Sequence, residues 1–231
     1  MEQEQIFAHT LVQLGPLIIR DTVVSTWVVM LGLWLVCWYL GRSLRSSPGL
    51  LQTAAEGIVT GMEDAVRQVL PREAERVLPF VMTLWIFLVV ANLVGLVPGL
   101  HSPTRDPSAT AALAVLVFLS VHWFGIRSQG PRAYFRHYLS PTPVLLPFHI
   151  ISEITRTLAL AVRLFGNMMS LELVALLLVW VAGLLVPIPI LMLHIVEALV
   201  QAYIFGMLAL IYIASAIQTR QPQAGEAPDK E

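Results

Sequence analysis

The residues that could do chemistry are polar side chains set in an otherwise apolar stretch, residues 143–218. Ionisable groups are rare in such stretches because a charge at the centre of a membrane costs several kcal/mol. Those that occur therefore point to function. The set comprises Glu153, Arg156, Arg163, Asn167, Glu172, His194, Glu197 and Gln201. A carboxylate and an imidazole together can relay protons, since histidine titrates near neutral pH, whereas a guanidinium stays charged and can pair with a carboxylate.

Helical geometry divides these residues among faces. At about 100° per residue, the side chains of Arg156, Arg163 and Asn167 fall, with Ser170, within about 40° of one stripe. Glu172 lies nine residues after Arg163, which places it on the opposite side and about 13 Å further along the axis. A second helix carries its own stripe, formed by His194, Glu197, Gln201, Phe205 and Tyr212. We expect Arg163 and Glu172 to face different neighbours.

Three segments add a resemblance to a known family. Arg163-Leu164-Phe165-Gly166-Asn167-Met168, followed by Glu172, resembles the signature of subunit a of rotary F-type ATP synthases. The segment from Gln201 to Phe205, preceded by His194, is similar to the last helix of that family. Pro79-Phe80 through Pro98 resembles its second span. The resemblance covers roughly residues 75–218, and the arginine motif is its most specific part.

The resemblance implies a stator subunit that lies against a rotating ring of c subunits and provides two offset half-channels for ions. Arg163 would face the ring carboxylates, where a planar guanidinium that is always charged suits a carboxylate. The implied partners also include the b subunits of the peripheral stalk, the lipid bilayer and the translocated ion. No cofactor, metal or nucleic acid is implied, and the chain would have no active site of its own.

The remaining polar residues match family positions with less specificity. Glu172 and His194 resemble the polar pair of the outer half-channel, or they could simply hold the two helices together. Asn167 and Gln201 match amides that could orient the arginine or link the helices. Glu153 matches an acidic position of the inner half-channel, although it could be a helix-end charge. Arg156 stands where the family often has a basic residue, and it could instead extend to the lipid headgroups.

Glu197 departs from the family pattern, in which an apolar residue is expected. The extra carboxylate lies one turn from His194 and could extend the polar lining of the outer half-channel or favour sodium over protons as the coupling ion.

Two other classes of protein fit these residues less well. A stand-alone secondary transporter would suit long helices with central charges, but no inverted repeat is detectable. An intramembrane protease lacks a Gly-x-Ser-x-Gly or His-Glu-x-x-His motif.

The composition of the chain excludes most other classes. Hydrophobic types make up 57% of the 231 residues and charged types 13%, about half the usual charged share, and the mean hydropathy is +0.75. These values exclude a soluble enzyme, and a net charge of −1 argues against a nucleic-acid binder. The single cysteine, Cys37, excludes a disulfide framework, and Lys230 is the sole lysine, which excludes a P-loop.

The hydropathy pattern predicts an all-α, polytopic membrane protein with one membrane domain, 1–231, and about five crossing helices. The predicted elements are span 1 at 22–41, an amphipathic cytoplasmic helix at 50–70, span 2 at 77–97, span 3 at 109–126, long tilted helices at 143–186 and 190–218, and a tail at 219–231. Pro187-Ile188-Pro189 separates the two long helices because proline interrupts a helix.

The distribution of basic residues predicts the orientation. Segments 42–76, 127–136 and the tail carry ten of the fourteen basic residues, whereas the opposite side carries Arg20 and Arg105. By the positive-inside rule, the N-terminus is outside and the C-terminus is cytoplasmic. The resemblance implies that the membrane is the inner membrane of a bacterial cell. The acidic start of the chain is not a secretory signal.

Overall fold

The computed structural model describes residues 10–14, 17–42, 49–96, 102–132, 134, 146–182 and 187–218. Within these ranges the side chains of several helical residues, Glu172 among them, are outside the description. The predicted tail, 219–231, and the outer ends of the predicted first long helix, 143–145 and 183–186, also lie outside the described residues.

The described chain is helical apart from a short hairpin at its start. The elements are β1 (Thr10–Leu14), β2 (Leu17–Arg20), α1 (Asp21–Arg42), α2 (Leu50–Val69), α3 (Ala74–Val94), a 3₁₀ turn (Pro103–Arg105), α4 (Pro107–Gln129), α5 (Leu146–Ala182) and α6 (Pro187–Gln218). The predicted all-α membrane class is confirmed. The antiparallel hairpin, which pairs Leu14 with Leu17, was not predicted, although its β-branched residues favour strands.

Helices α1 and α4 extend beyond the predicted spans at both ends, whereas α3 begins before its predicted span, 77–97, and ends earlier, at Val94. Hydropathy marks the apolar part of a helix and not its ends. Helix α4 begins at Pro107, two residues before the predicted span, since proline is tolerated in the first turn. The Asp106 carboxylate accepts a hydrogen bond from the Ser108 amide and caps that end at 2.8 Å. The helix ends at Gly130, whose φ of 82° favours glycine.

The two long predicted helices are α5, of 37 residues, and α6, of 32 residues. At 1.5 Å per residue, α5 is about 55 Å long, well beyond the thickness of the hydrocarbon core. The predicted break at Pro187 is also the start of α6, because a proline that cannot continue one helix fits the first turn of the next. Their tilt in the membrane stays a prediction.

The core lies between α3, α4, α5 and α6. Helix α4 packs against both long helices, and α3 packs against α6. Their fully buried side chains include Val81, Leu88, Val117, Leu164, Phe205, Leu210 and Ile213. The second half of α2 joins this core through Val66 and Leu70, whereas Ile58 and Val59 on its first half are exposed. The predicted apolar stripe of α2 is therefore only partly covered by this chain.

The polar side of α2 carries its own charge pair. Arg67 donates two hydrogen bonds to Glu63, of 2.8 and 2.6 Å. This hydrogen bonding, with the charge of Glu63, raises the pKa of Arg67 above its ordinary value. Arg67 therefore stays charged at every physiological pH and offsets one of the acidic side chains of α2, which has no other basic residue.

Four helices in the described part of the chain are long and apolar enough to cross a membrane: α1, α3, α4 and α6. Helix α5 carries most of the ionisable residues singled out above and is not among the four, so the fifth crossing stays a prediction. Helix α1 is barely covered by the rest of the chain. Trp27, Trp34 and Tyr39 on it are exposed, which leaves its surface available to lipid or to another helix.

Candidate functional site

Arg163 lies at the border of the buried face of α5. Leu160, Leu164 and Met168 recur at four-residue spacing and are buried, and Arg163 points about 100° away from Leu164. Its side chain is exposed. Within the described residues, the Arg163 guanidinium has no ion pair and no hydrogen bond. The surface of this chain therefore presents a positive charge without a counter-ion of its own.

Small side chains surround that charge on α5. Helical spacing places four of them within about 60° of Arg163; they are Ser152, Ala159, Gly166 and Ser170. All are exposed or half-buried. Small residues allow the backbone of another helix to approach closely in a membrane. The face of α5 that carries the arginine is thus shaped to receive a second helix.

An amide pair links the two long helices one turn beyond the arginine. Asn167 Nδ2 donates a hydrogen bond to Gln201 Oε1 at 2.6 Å, so these two candidate site residues lie together and link the helices. Gln201 is only 2% exposed, and its Nε2 has no hydrogen-bond partner among the described residues. Neither amide is hydrogen-bonded to Arg163. The two amide side chains therefore hold each other in place without the arginine.

Replacing Asn167 with leucine is expected to lower stability by about 1–3 kcal/mol, because it leaves the buried Gln201 carbonyl without its donor. Asn167→Leu with Gln201→Leu should cost less than the sum of the single changes, since the two groups are coupled. Thermal unfolding of the purified membrane complex measures both. Ser170→Ala, on the exposed face of α5, is the control, and strictly additive effects would contradict the coupling.

A second pair lies near the start of α5. Arg156 Nη1 is 3.5 Å from Glu153 Oε1, and the Arg156 guanidinium lies 4.5 Å from the ring centroid of Tyr212 on α6. Thr157 Oγ1 also donates to the Glu153 carbonyl at 2.9 Å. Arg156 shares the stripe of Arg163, as predicted, but a carboxylate and an aromatic ring within this chain already engage it.

The remaining predicted residues lie on α6 and at the far part of α5. His194 is buried, with 8% exposure, and Glu197 is half-buried one turn later. The backbone of Glu172 belongs to α5, but its side chain lies outside the described residues. The predicted pairing of Glu172 with His194 therefore stays a prediction. Among the described residues, no group of His, Cys, Asp and Glu is arranged to hold a metal ion.

A buried polar network around Asn92 was missed by sequence reasoning. Asn92 Oδ1 accepts from Thr104 Oγ1 at 2.8 Å, and its Nδ2 donates to the Ala198 carbonyl of α6 at 3.3 Å. Ser102 Oγ lies 2.6 Å from Thr104 Oγ1 and donates to the Ala91 carbonyl. Gly95, Pro98, Pro103 and Pro107 indicate a loop in the sequence, and the structure buries Ser102, Thr104 and Asp106 within it. Its alternating Ser, Thr and Asp residues were the available signal, since such side chains satisfy buried backbone groups.

The same segment connects α1 to the bundle. Thr22 Oγ1 donates to Asp106 Oδ2 at 3.0 Å, across 84 residues of sequence, and Asp106 is almost fully buried. The 3₁₀ turn also contacts α5. The polar layer therefore runs from Asp106 and Thr104 through Asn92 to α6, where Ala198 lies one turn before Gln201.

Comparisons with known proteins agree over nearly the whole chain. Residues 23–214 match the family model described as ATP synthase A chain. The chain is 63% identical over 223 residues to "ATP synthase subunit a 2" of Pelobacter propionicus, covering 96% of this chain and 97% of that protein. It is 55% identical over 222 residues to "ATP synthase subunit a" of Legionella pneumophila, covering 96% of each. It is 60% identical over 215 residues to "ATP synthase subunit a 1" of Hahella chejuensis, covering 93% of this chain and 90% of that protein.

Proposed function

Because this chain belongs to the ATP synthase A chain family, we propose that it is the stator subunit that conducts protons past a rotating ring of c subunits in an F-type ATP synthase. In this function Arg163 is the fixed charge between two half-channels. The chain binds no nucleotide itself, and the work comes from ions that cross the membrane potential, about 2.3 kcal/mol per charge at 100 mV.

The observation that carries this proposal is the unpaired charge of Arg163 on a face of small residues. A guanidinium in a membrane requires an anionic partner, and no described residue of this chain provides one. A carboxylate on a helix of another subunit fits that need, since the small side chains around Arg163 allow close approach. The expected partner is the ring of c subunits, and its carboxylates would be ionised as they pass the arginine.

Two sets of polar residues support separate access routes to the arginine. On one side lie the network of Thr104 and Asn92, its contact with the Ala198 carbonyl, and the segment of α6 with His194 and Glu197. We assign this side to the outer half-channel, together with Glu172. On the other side, Glu153 and Arg156, about 15 and about 10 Å before Arg163 along the helix axis, mark the inner half-channel.

The nearly uncovered surface of α1 supports contact with lipid and with the b subunits of the peripheral stalk. We place the chain in the inner membrane of a bacterial cell because its relatives are bacterial. The distribution of its basic residues supports an N-terminus outside and a C-terminus in the cytoplasm. That orientation puts Arg42, Arg76 and Arg127, at the ends of α1, α3 and α4, on the cytoplasmic side.

Ion transport by the whole complex in vesicles tests the proposal. We expect ATP to drive acidification of the vesicles without sodium, and a protonophore to abolish the pH gradient. The c ring should co-purify with this chain, and complexes lacking this chain should hydrolyse ATP without pumping. Transport by this chain alone, without c subunits, would identify a stand-alone transporter and contradict the stator function.

The alternative coupling ion is sodium, and the same vesicles distinguish it. Glu197 adds a half-buried carboxylate one turn from His194, a hard oxygen ligand of the kind that sodium or a hydrated cation would meet on its way to the ring. Uptake of radioactive sodium that persists in the presence of a protonophore would establish sodium coupling. In that case Glu197→Gln should reduce uptake at low sodium more than at high sodium.

A further inference from the structure

A cavity of about 230 Å³ opens at the end of the bundle where α3 begins and where α4 and α6 end. None of its lining residues belongs to α5, the helix that carries Arg163, and none belongs to the polar layer described above. Its lining combines charged residues with aromatic ones, namely Glu73, Arg76, Trp123, Phe124, Arg127 and Ser128.

The charges around this cavity leave one cation uncompensated. Arg76 Nη1 is 2.9 Å from Glu73 Oε2, so these two charges offset each other. Arg127 is exposed, and in the described part of the chain it has no ion pair or hydrogen bond. The lining therefore carries a net charge of +1, located on Arg127, with the Ser128 hydroxyl beside it.

The aromatic residues of the lining lie deeper than the charges. Trp123 is one turn before Arg127 on α4, about 6 Å along the helix axis, and its side chain is 63% exposed. Phe124 packs on Phe80 of α3 with ring centroids 6.0 Å apart, which holds the inner wall in place. Tryptophan favours the level of the lipid headgroups, with its ring against the acyl chains and its polar edge toward water.

We propose that this cavity binds one anionic phospholipid, whose phosphate lies against Arg127 and Ser128 and whose acyl chain follows Trp123. Basic pockets between membrane helices recognise anionic headgroups in this way. A soluble phosphate ion would use Arg127 alone and would leave the aromatic wall without a ligand. A carboxylate on a partner protein would satisfy the same charge, so the test must separate the three.

Photocrosslinking in vesicles tests this site in the whole complex. The probes are phosphatidylglycerol and phosphatidylcholine that carry a diazirine on the acyl chain, and the readout is the crosslink yield on the peptide containing Trp123. One surface cation contributes about 1 kcal/mol to binding of an anionic lipid, so the yield with phosphatidylglycerol should exceed that with phosphatidylcholine about fivefold. Arg127→Gln should reduce it to the phosphatidylcholine level.

Two variants make the test specific. Glu73→Gln should raise the yield with phosphatidylglycerol, because it releases the charge of Arg76. Arg42→Gln should leave the yield unchanged: Arg42 stacks on Trp38 at 5.2 Å, at the end of α1 and outside the cavity. ATP hydrolysis and recovery of the c ring with each variant confirm assembly.

Three results would overturn the proposal. Equal yields with the two lipids, or equal losses in Arg127→Gln and Arg42→Gln, would show that no headgroup is selected. Suppression of the crosslink by inorganic phosphate, but not by chloride at the same ionic strength, would identify a site for soluble phosphate. A crosslink of the diazirine lipid that appears only after the peripheral stalk is removed would show that a protein occupies the cavity.

Discussion

Ion transport coupled to ATP hydrolysis is expected to be abolished when Arg163 is replaced by alanine. Without the guanidinium, a ring carboxylate would have to pass the stator without a counter-charge in a medium that solvates it poorly. Removing one partner of such a buried pair costs about 3–5 kcal/mol, equivalent to a loss of about two to four orders of magnitude in rate. ATP-driven pumping by reconstituted complexes measures this effect, while hydrolysis by the detached soluble head should persist.

Two further variants determine whether charge or geometry matters. Arg163→Lys keeps the charge but loses the planar fork that pairs with a carboxylate, so pumping should also be severely impaired. Arg156→Ala is the matched control, since Arg156 lies seven residues earlier on the same stripe of α5 but already contacts Glu153 and Tyr212. It should reduce pumping much less. Unimpaired pumping by Arg163→Ala would refute the function assigned to this residue.

Gly206→Ala is expected to disrupt the packing of α3 on α6. A Cβ atom at position 206 would lie 1.8 Å from Nε1 of Trp85, and Trp85 is buried at 2% exposure. The indole stacks on Tyr203 at a centroid distance of 6.1 Å and donates to the Tyr203 carbonyl at 3.3 Å, so it cannot move without losing both contacts. Overpacking of this kind usually costs about 1–3 kcal/mol, and we expect the upper end of that range.

The thermal midpoint of the purified complex and the amount of chain recovered from membranes measure this loss. Gly32→Ala on α1 is the matched control, because a Cβ at that position meets nothing within 4 Å. Trp85→Leu should partly rescue Gly206→Ala, since the two changes act at one contact and should not add. A stable Gly206→Ala protein with unchanged Trp85 fluorescence would contradict the close approach of α3 and α6.

Much of the fold followed from hydropathy because a membrane imposes one strong rule: an apolar helix about twenty residues long suffices to cross it. The positions of α1, α3 and α4 were predicted for this reason. Their ends were not, because Glu75 and Arg76 continue α3 beyond the apolar stretch. Charged residues at a headgroup interface keep a helix intact without adding to its hydropathy.

Parts of the site depended on contacts that no local pattern encodes. The stripe of α5 placed Arg156, Arg163 and Asn167 on one side, but the three residues have different environments. Tyr212 contacts Arg156 and Gln201 accepts from Asn167, whereas no described side chain of α6 pairs with Arg163. The network of Thr104 and Asn92 joins residues twelve positions apart and then reaches α6, so it required the packed bundle to be recognised.

The sequence by itself determined that this chain is a helical membrane protein, which residues are charged within its apolar stretches, and the family to which the arginine motif points. Burial of charge in a membrane is so unfavourable that charged residues within apolar stretches can be recognised from the amino-acid sequence alone. Only the tertiary structure decided which of those charges are satisfied. Pairing depends on which helix faces which, and that is set by the packing of side chains far apart in sequence, such as Trp85 against Gly206 and Asn92 against Ala198.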